Sequence, residues 1–218
     1  MTTRPGITRP EPPGSGVPPR APTLNDRLRF QTRGLTRAIG AWGARNGIDP
    51  DAVTIAGLLV TFLAAAAAAA GSFLPAGILL ILGSLLDGVD GAIARALPAR
   101  TRFGALLDST CDRLSDGALF FGIAYYYTVQ NQPTVMALAI TALIAAFTVS
   151  YVRARAEGLD VGSIREGWFD RTVRIVILIA ALLTGGVVPG LAILAVGSAI
   201  TAVQRIVLVY RATRDDNA

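Results

Sequence analysis

The sequence predicts an all-α integral membrane protein, with six transmembrane helices preceded by an amphipathic helix in the membrane interface. The first observation is composition. The 218 residues are 52% hydrophobic and 16% charged, with a mean hydropathy of +0.52, whereas a soluble domain carries about 25% charged residues. The second observation is the distribution of charge. Three long segments contain no charged residue, and each has helix-breaking residues near its middle.

The N-terminal region divides into a tail and a helix. Residues 1–22 contain seven of the twelve prolines and no hydrophobic segment, so we expect a disordered tail that is not a signal peptide. Residues 23–46 have the spacing of an amphipathic helix, with arginines between the apolar positions. These apolar positions are Leu28, Leu35, Ile39 and Trp42. The pattern favours a helix lying in the membrane interface; an ordinary helix packed on the protein is the alternative.

The three charge-free segments predict three helical hairpins. They cover residues 52–86, 117–152 and 175–204, and are 35, 36 and 30 residues long. One membrane span needs roughly 20 residues, and glycine, asparagine and proline interrupt each segment. The interruptions fall at residues 71–75, 131–133 and 185–189. We therefore expect a six-helix transmembrane domain over residues 47–211, followed by a short tail over residues 212–218.

Hairpins also predict the orientation of the protein. Each hairpin returns to the side that it left, so every charged segment lies on one face of the membrane. All 20 cationic residues are arginines, and the positive-inside rule makes that face cytoplasmic. We expect a multi-pass protein of the cell membrane, with both termini and every charged segment on the cytoplasmic side.

Composition limits the chemistry that the chain can perform. It has no lysine, no histidine and one cysteine, which excludes Schiff-base lysines, histidine bases and ligands, disulfides within the chain and thiolate zinc sites. Carboxylates without histidine favour hard cations such as Mg²⁺ or Mn²⁺. On a membrane protein, the net charge of +5 indicates a basic cytoplasmic face and no nucleic-acid partner.

Two groups of aspartates flank the link between the first two hairpins. Asp87 and Asp90 share a face at the end of the second transmembrane helix, and Asp108, Asp112 and Asp116 share a face of the third. Clustered carboxylates near lipid repel one another unless they are paired or hold one or two divalent cations. An acidic patch neutralised by nearby arginines is one alternative. A cation or proton transporter is another, but a transporter requires a polar group near the midplane, where the sequence has no acidic residue.

Eight of these positions resemble the signature of the CDP-alcohol phosphotransferases. The signature, Asp-x2-Asp-Gly-x2-Ala-Arg-x8-Gly-x3-Asp-x3-Asp, is matched throughout. The matching residues are Asp87, Asp90, Gly91, Ala94, Arg95, Gly104, Asp108 and Asp112. The resemblance implies six transmembrane helices and a cytoplasmic site. It also implies that the four signature aspartates bind two Mg²⁺ or Mn²⁺ ions and that Asp112 is the general base.

The same resemblance implies a binding site for a CDP-linked lipid and, by analogy, a homodimer. Gly91, Arg95 and Thr101 would hold the CDP group. So would the segment before the first transmembrane helix, which resembles the family's cytidine-contacting stretch and consists of Asp49, Pro50, Asp51 and Ala52.

Residues 102–118 resemble more narrowly the phosphatidylinositol phosphate synthases of actinobacterial type. This resemblance implies transfer of a phosphatidyl group from CDP-diacylglycerol to inositol phosphate, with release of CMP. The acceptor phosphate would be bound by Arg153, Arg174 and Arg205, each at the cytoplasmic end of a different helix. The second candidate is phosphatidylglycerophosphate synthase, whose acceptor is glycerol 3-phosphate, or another member of the family.

Overall fold

The computed structural model describes residues 24–99, 101–159, 161–162 and 167–215. These ranges contain seven helices and no strand. The helices are α1 Leu24–Arg45, α2 Pro50–Ala69, α3 Phe73–Ala96, α4 Arg102–Val129, α5 Pro133–Glu157, α6 Arg171–Thr184 and α7 Val187–Asp215. The predicted disordered tail over residues 1–22 lies outside the described residues. The chain divides into two compact units after Leu35, and the contacts below all belong to the second unit.

The prediction of an all-α fold is confirmed for the described part of the chain. The hairpin turns occur where the sequence breaks the helical pattern: α2 and α3, α4 and α5, and α6 and α7 are separated by two to three residues. Gly71 and Gly185 adopt left-handed φ angles of 76° and 74° in two of these turns, which glycine tolerates without strain. Helix α2 packs against α3 and α4, and α7 packs against α5 and α6.

Four of the described helices are long and apolar enough to cross a membrane: α2, α3, α5 and α7. Helix α4 carries a charged first half, and α6 has only 14 residues. The structure therefore agrees with a multi-pass membrane protein. It supports four candidate spans by length and composition, rather than the full predicted set of six.

Small residues allow α2 to approach its neighbours closely. Ala64, Ala65 and Ala68 are buried, and a side chain at Gly122 of α4 would collide with the backbone of Ala65. Close approach through alanine and glycine is typical of helices that pack within lipid. Since α2 packs tightly against both α3 and α4, its first turn lies beside the aspartates that those helices carry.

Side-chain caps define the first turns of three helices around the aspartates. Asp49 Oδ1 accepts from the backbone N–H of Asp51 at 3.0 Å, and Thr101 Oγ1 accepts from that of Gly104 at 2.8 Å. Asp170 Oδ1 accepts from the N–H of Val173 at 2.9 Å. These caps satisfy backbone donors that have no partner inside the helix. They fix where α2, α4 and α6 begin.

Candidate active site

Three aspartates converge where α3 ends and α4 begins. One carboxylate oxygen from each of Asp87, Asp90 and Asp108 lies within 4.8 Å of the other two. Asp90 is buried, Asp87 is partly buried and Asp108 is exposed. Magnesium takes oxygen ligands at about 2.0–2.1 Å, and usually keeps part of its water shell. Three oxygen donors within reach of one ion, open to solvent on one side, fit a divalent cation of this kind.

Thr54 holds the most buried of these aspartates. Its hydroxyl lies 2.5 Å from Asp90 Oδ2 and 3.0 Å from the carbonyl of Pro50. A hydroxyl has one proton, and the nearer acceptor here is the carboxylate. The sequence analysis missed this residue. Its only sequence signal was position, since Thr54 lies one turn after Pro50 at the predicted cytidine-contacting stretch.

The fourth signature aspartate, Asp112, is joined to the others through an arginine. Arg171, the first residue of α6, donates from Nη1 to Asp87 Oδ2 at 2.9 Å, and the same nitrogen lies 2.7 Å from Asp112 Oδ1. Arg113 lies 3.5 Å from Asp112. Arg171 was not among the predicted site residues. Its sequence signal was its place three residues before the predicted Arg174, at the start of an apolar segment.

A cavity of about 210 Å³ opens beside the three converging aspartates. It is bordered by the first turns of α2 and α4 and the end of α3. Its lining includes five predicted CDP-lipid residues, namely Asp49, Pro50, Asp51, Gly91 and Thr101, together with Thr54, Asp90, Gly104 and Asp108. Ala52 and Arg95 do not belong to the lining, although the Arg95 guanidinium lies beside Gly91.

Gly104 keeps this cavity open. A Cβ atom at this position would come within 2.8 Å of Thr101 Oγ1 and 3.0 Å of Asp51 Oδ1. Glycine is therefore required at this position of the signature for steric reasons, because any side chain would collide with two polar groups at the cavity wall.

The three arginines predicted to bind the acceptor phosphate differ in their surroundings. Arg174 is 4% exposed, donates to the carbonyl of Phe169 at 3.1 Å and contacts Asp116 Oδ2 at 3.3 Å. Arg205 is also 4% exposed, and donates to the carbonyl of Val149 at 2.8 Å. Arg153 pairs with Glu157 at 3.1 Å, and both side chains are 43% exposed.

One connecting segment joins the regions around Arg174 and Arg205. Phe169 accepts from Arg174 through its carbonyl, and its N–H donates to Thr201 Oγ1 at 3.2 Å, one turn before Arg205. Val149, the partner of Arg205, lies one turn before Arg153 on α5. The structure therefore brings the three helix ends that carry these arginines to one region.

The model of the CDP-alcohol phosphatidyltransferase family matches residues 48–210. This chain belongs to that family. The match includes the aspartate cluster, the cavity and all three arginines. The predicted membership is confirmed, and with it the general class of enzyme, a membrane phosphatidyltransferase.

Two curated relatives are similar over most of their length. Archaetidylinositol phosphate synthase of Pyrococcus horikoshii is 38% identical over 180 residues, which cover 83% of this chain and 93% of the relative. Phosphatidylinositol phosphate synthase of Streptomyces avermitilis is 37% identical over 216 residues, covering 89% and 86%. The two names share the inositol phosphate and differ in the lipid.

Crystal structures of Mycobacterium tuberculosis phosphatidylinositol phosphate synthase have a similar fold. The structure with CDP-DAG bound has a TM-score of 0.73 and 31% sequence identity, and the comparison covers 80% of this chain and 93% of that one. A structure in complex with manganese and citrate has the same TM-score and identity, and covers 80% and 88%.

Proposed function

We propose that this protein transfers a phosphatidyl group from CDP-diacylglycerol to inositol phosphate, forming phosphatidylinositol phosphate and releasing CMP. The observation that carries the proposal is the three-aspartate cluster, two of whose members, Asp90 and Asp108, line the adjacent cavity. The named relatives support the acceptor, because one is an archaetidylinositol phosphate synthase and the other a phosphatidylinositol phosphate synthase. The neighbouring structure that binds CDP-DAG supports the donor.

The cavity between α2, α3 and α4 is the proposed site of the CDP group. Asp49, Asp51 and Thr101 offer polar contacts on its wall, and Gly91 and Gly104 leave room for the nucleotide to approach the helices. Two Mg²⁺ or Mn²⁺ ions, held by the four signature aspartates, supply the positive charge that neutralises the pyrophosphate and the departing CMP. The manganese-bound neighbour supports a divalent cation at this cluster.

The arginines and Asp112 act on the acceptor. In this proposal, Arg153, Arg174 and Arg205 bind the phosphate of inositol phosphate, since guanidinium groups form charge-assisted hydrogen bonds with phosphate oxygens. Asp112 accepts the proton of the attacking hydroxyl. The hydroxyl oxygen then forms a bond to the lipid-side phosphorus, and the bond from that phosphorus to the oxygen of CMP breaks.

A transfer assay with radiolabelled CDP-diacylglycerol tests this proposal. We expect rapid transfer to inositol phosphate and poor transfer to inositol, which lacks the group that the arginines bind. Equal use of the two would contradict a phosphate pocket. Preference for glycerol 3-phosphate would make the enzyme a phosphatidylglycerophosphate synthase, the second candidate.

We further propose that α4 and α6 also cross the membrane, so that the cell-membrane domain has six spans and the site is cytoplasmic. The pairing of helices supports this, because α4 forms a hairpin with α5 and α6 forms one with α7, both candidate spans. The three hairpin turns contain no charged residue. Helix α1 would lie in the interface, and both termini would be cytoplasmic.

Accessibility of single cysteines tests the topology, in a Cys111→Ala background that removes the native thiol. Labels at Ser72, Gln132 and Gly186 should react with an impermeant maleimide from outside the cell. Labels at Asn46 and Leu159 should react only after the membrane is opened. Reaction of Asn46 or Leu159 from outside would contradict the six-span arrangement.

A homodimer is proposed from the family analogy. Light scattering of the purified protein in detergent, with the detergent contribution subtracted, should give twice the mass of one chain. A monomer that is fully active would contradict it.

A further inference from the structure

Arg171 contacts two of the aspartates that are proposed to bind divalent cations. Its Nη1 atom donates to Asp87 Oδ2 at 2.9 Å and lies 2.7 Å from Asp112 Oδ1. Asp87 and Asp112 are two of the four aspartates proposed to hold the pair of ions. A guanidinium in contact with these two carboxylates competes with a metal ion for them, since two cations held within a few ångströms of each other repel. The two cation positions are therefore unequal: the oxygens of Asp87, Asp90 and Asp108 already converge, whereas Asp112 is engaged by an arginine.

Two buried atoms at the contact between Arg171 and Asp112 have no hydrogen-bond partner. Asp112 Oδ1 is buried and has no aligned hydrogen bond, although the Arg171 nitrogen is close. The Nε atom of Arg171 is buried and has no hydrogen-bond partner. A buried N–H without an acceptor destabilises the arrangement that leaves it so. Arg174, three residues later, differs: its guanidinium bonds both to a carbonyl and to a carboxylate.

Asp116 lies where the unpaired Nε could find an acceptor. Its Oδ1 atom is 3.9 Å from Arg171 Nε, beyond a hydrogen bond, while its Oδ2 atom already contacts Arg174 at 3.3 Å. A movement of about 1 Å would bring Nε within hydrogen-bond distance of Oδ1. Since the two arginines face different oxygens, Asp116 can accept from both. Asp116 lies outside the eight-residue signature.

We propose that Arg171 is a positioning residue that competes with the second divalent cation for Asp87 and Asp112, and that Asp116 receives its guanidinium when that cation binds. The inference rests on the proposed two-ion site. It gives Asp116 a role in the reaction, because Asp112 becomes available to the acceptor hydroxyl only when Arg171 moves away.

Binding of Mn²⁺ alone, followed by electron paramagnetic resonance on the purified full-length protein, tests this inference. The wild type should bind one ion tightly and a second more weakly. In Arg171→Gln the affinity for the second Mn²⁺ should rise by about tenfold or more, because a guanidinium within 4 Å of the carboxylate ligands has been removed. Arg171→Lys keeps the positive charge, and should leave the weaker affinity near that of the wild type.

Substitution of Asp116, the proposed acceptor for the Arg171 guanidinium, should have the opposite effect on the affinity for the second Mn²⁺. Asp116→Asn should weaken the second Mn²⁺ affinity in the wild type by about tenfold, yet have little effect in the Arg171→Gln background, since coupled residues give non-additive effects. Arg113→Gln is the matched control. It removes an arginine 3.5 Å from Asp112, without the contact to Asp87, and should change the affinity less than Arg171→Gln.

Different failures separate the two proposals. If the wild type binds no Mn²⁺, or if Asp90→Asn leaves binding unchanged, the metal site is wrong and the inference falls with it. If Asp90→Asn abolishes binding but Arg171→Gln leaves the second affinity unchanged, only the inference is overturned. Equal weakening by Asp116→Asn in both backgrounds would also overturn it, because that result is a simple charge effect.

Discussion

The aspartate side and the arginine side of the site satisfy their charges in different ways. On the aspartate side, Asp87, Asp90 and Asp108 bring oxygens together beside a cavity of about 210 Å³. On the arginine side, Arg174 and Arg205 are each 4% exposed and donate to carbonyls of the protein itself. The aspartate side therefore brings negative charges together next to a cavity, whereas the buried arginines form hydrogen bonds with backbone carbonyls of the protein.

This difference indicates that a cation can bind easily on the aspartate side, whereas a phosphate on the arginine side must compete with hydrogen bonds already present. Gathered carboxylates repel one another, so an incoming cation stabilises them. Buried guanidinium groups already bonded to carbonyls must exchange those bonds for the oxygens of a phosphate. Arg153 is the exception on its side, since it pairs only with exposed Glu157 in the contacts described, and such surface pairs are weak. We therefore expect Arg153 to be the most readily available of the three arginines.

The largest effect should come from the aspartate side. Asp108→Asn removes one of three converging donors, and kcat/KM should fall by about a thousandfold or more, because metal stabilisation of the reaction is worth several kcal/mol. Excess chelator should abolish transfer by the wild type, and Mg²⁺ or Mn²⁺ should restore it. Substantial activity in excess chelator would contradict a metal-dependent aspartate side.

The arginine side should separate into two kinds of variant. Arg153→Gln should raise KM for inositol phosphate by about tenfold to a hundredfold, the usual value of a charge-assisted hydrogen bond, with the melting temperature unchanged. Arg174→Gln should raise the same KM and also lower the melting temperature, because it replaces a buried guanidinium and leaves the partly buried carboxylate of Asp116 with one partner fewer. Binding of CDP-diacylglycerol should be nearly unchanged in both. If the two variants behave alike in stability, the distinction between exposed and buried arginines is wrong.

Substitutions of Thr54 test whether metal binding on the aspartate side depends on the hydrogen bond from Thr54 to Asp90. Thr54→Val removes the hydrogen bond to buried Asp90, and Mn²⁺ affinity should fall by about tenfold, as for the loss of a hydrogen bond to a charged group. Thr54→Ser keeps the hydroxyl and should restore most of the affinity. Valine keeps the shape of threonine without the hydroxyl, whereas serine keeps the hydroxyl without the methyl group, so equal loss in both would show that the hydroxyl is not the cause.

The smallest effect should come from the cap of α6, which supports Arg171 and Arg174 only indirectly. Asp170→Ala removes the acceptor for the Val173 N–H, and should lower stability by about 1 kcal/mol, seen as a lower melting temperature. Transfer activity at low temperature should change less than twofold. Asp170→Asn retains a capping side chain and is the control. A large loss of activity in Asp170→Asn would show that the charge at this position has a direct role.

The helices, their hairpins and most of the aspartate side can be predicted from the order of residues alone. Charge-free segments with central breakers predicted the three hairpins, and their turns occur at those breakers. Spacings of three and four residues place aspartates on one helix face, and a short link joins the two helices that carry them. Asp87, Asp90 and Asp108 therefore come together through short-range features of the sequence. A family signature can include such features, because they lie within one short stretch of chain.

The groups that support and restrain those aspartates become visible only once the helices are packed together. Thr54 and Asp90 are 36 positions apart, and Arg171 and Asp87 are 84 apart. Arg205 and Val149, on the arginine side, are 56 apart. Such pairs depend on which helices pack together and how closely, and that is set by the small residues of the buried faces rather than by any local spacing. The arginines at the helix ends look alike in the sequence, and burial and packing give Arg153, Arg171 and Arg174 three different environments.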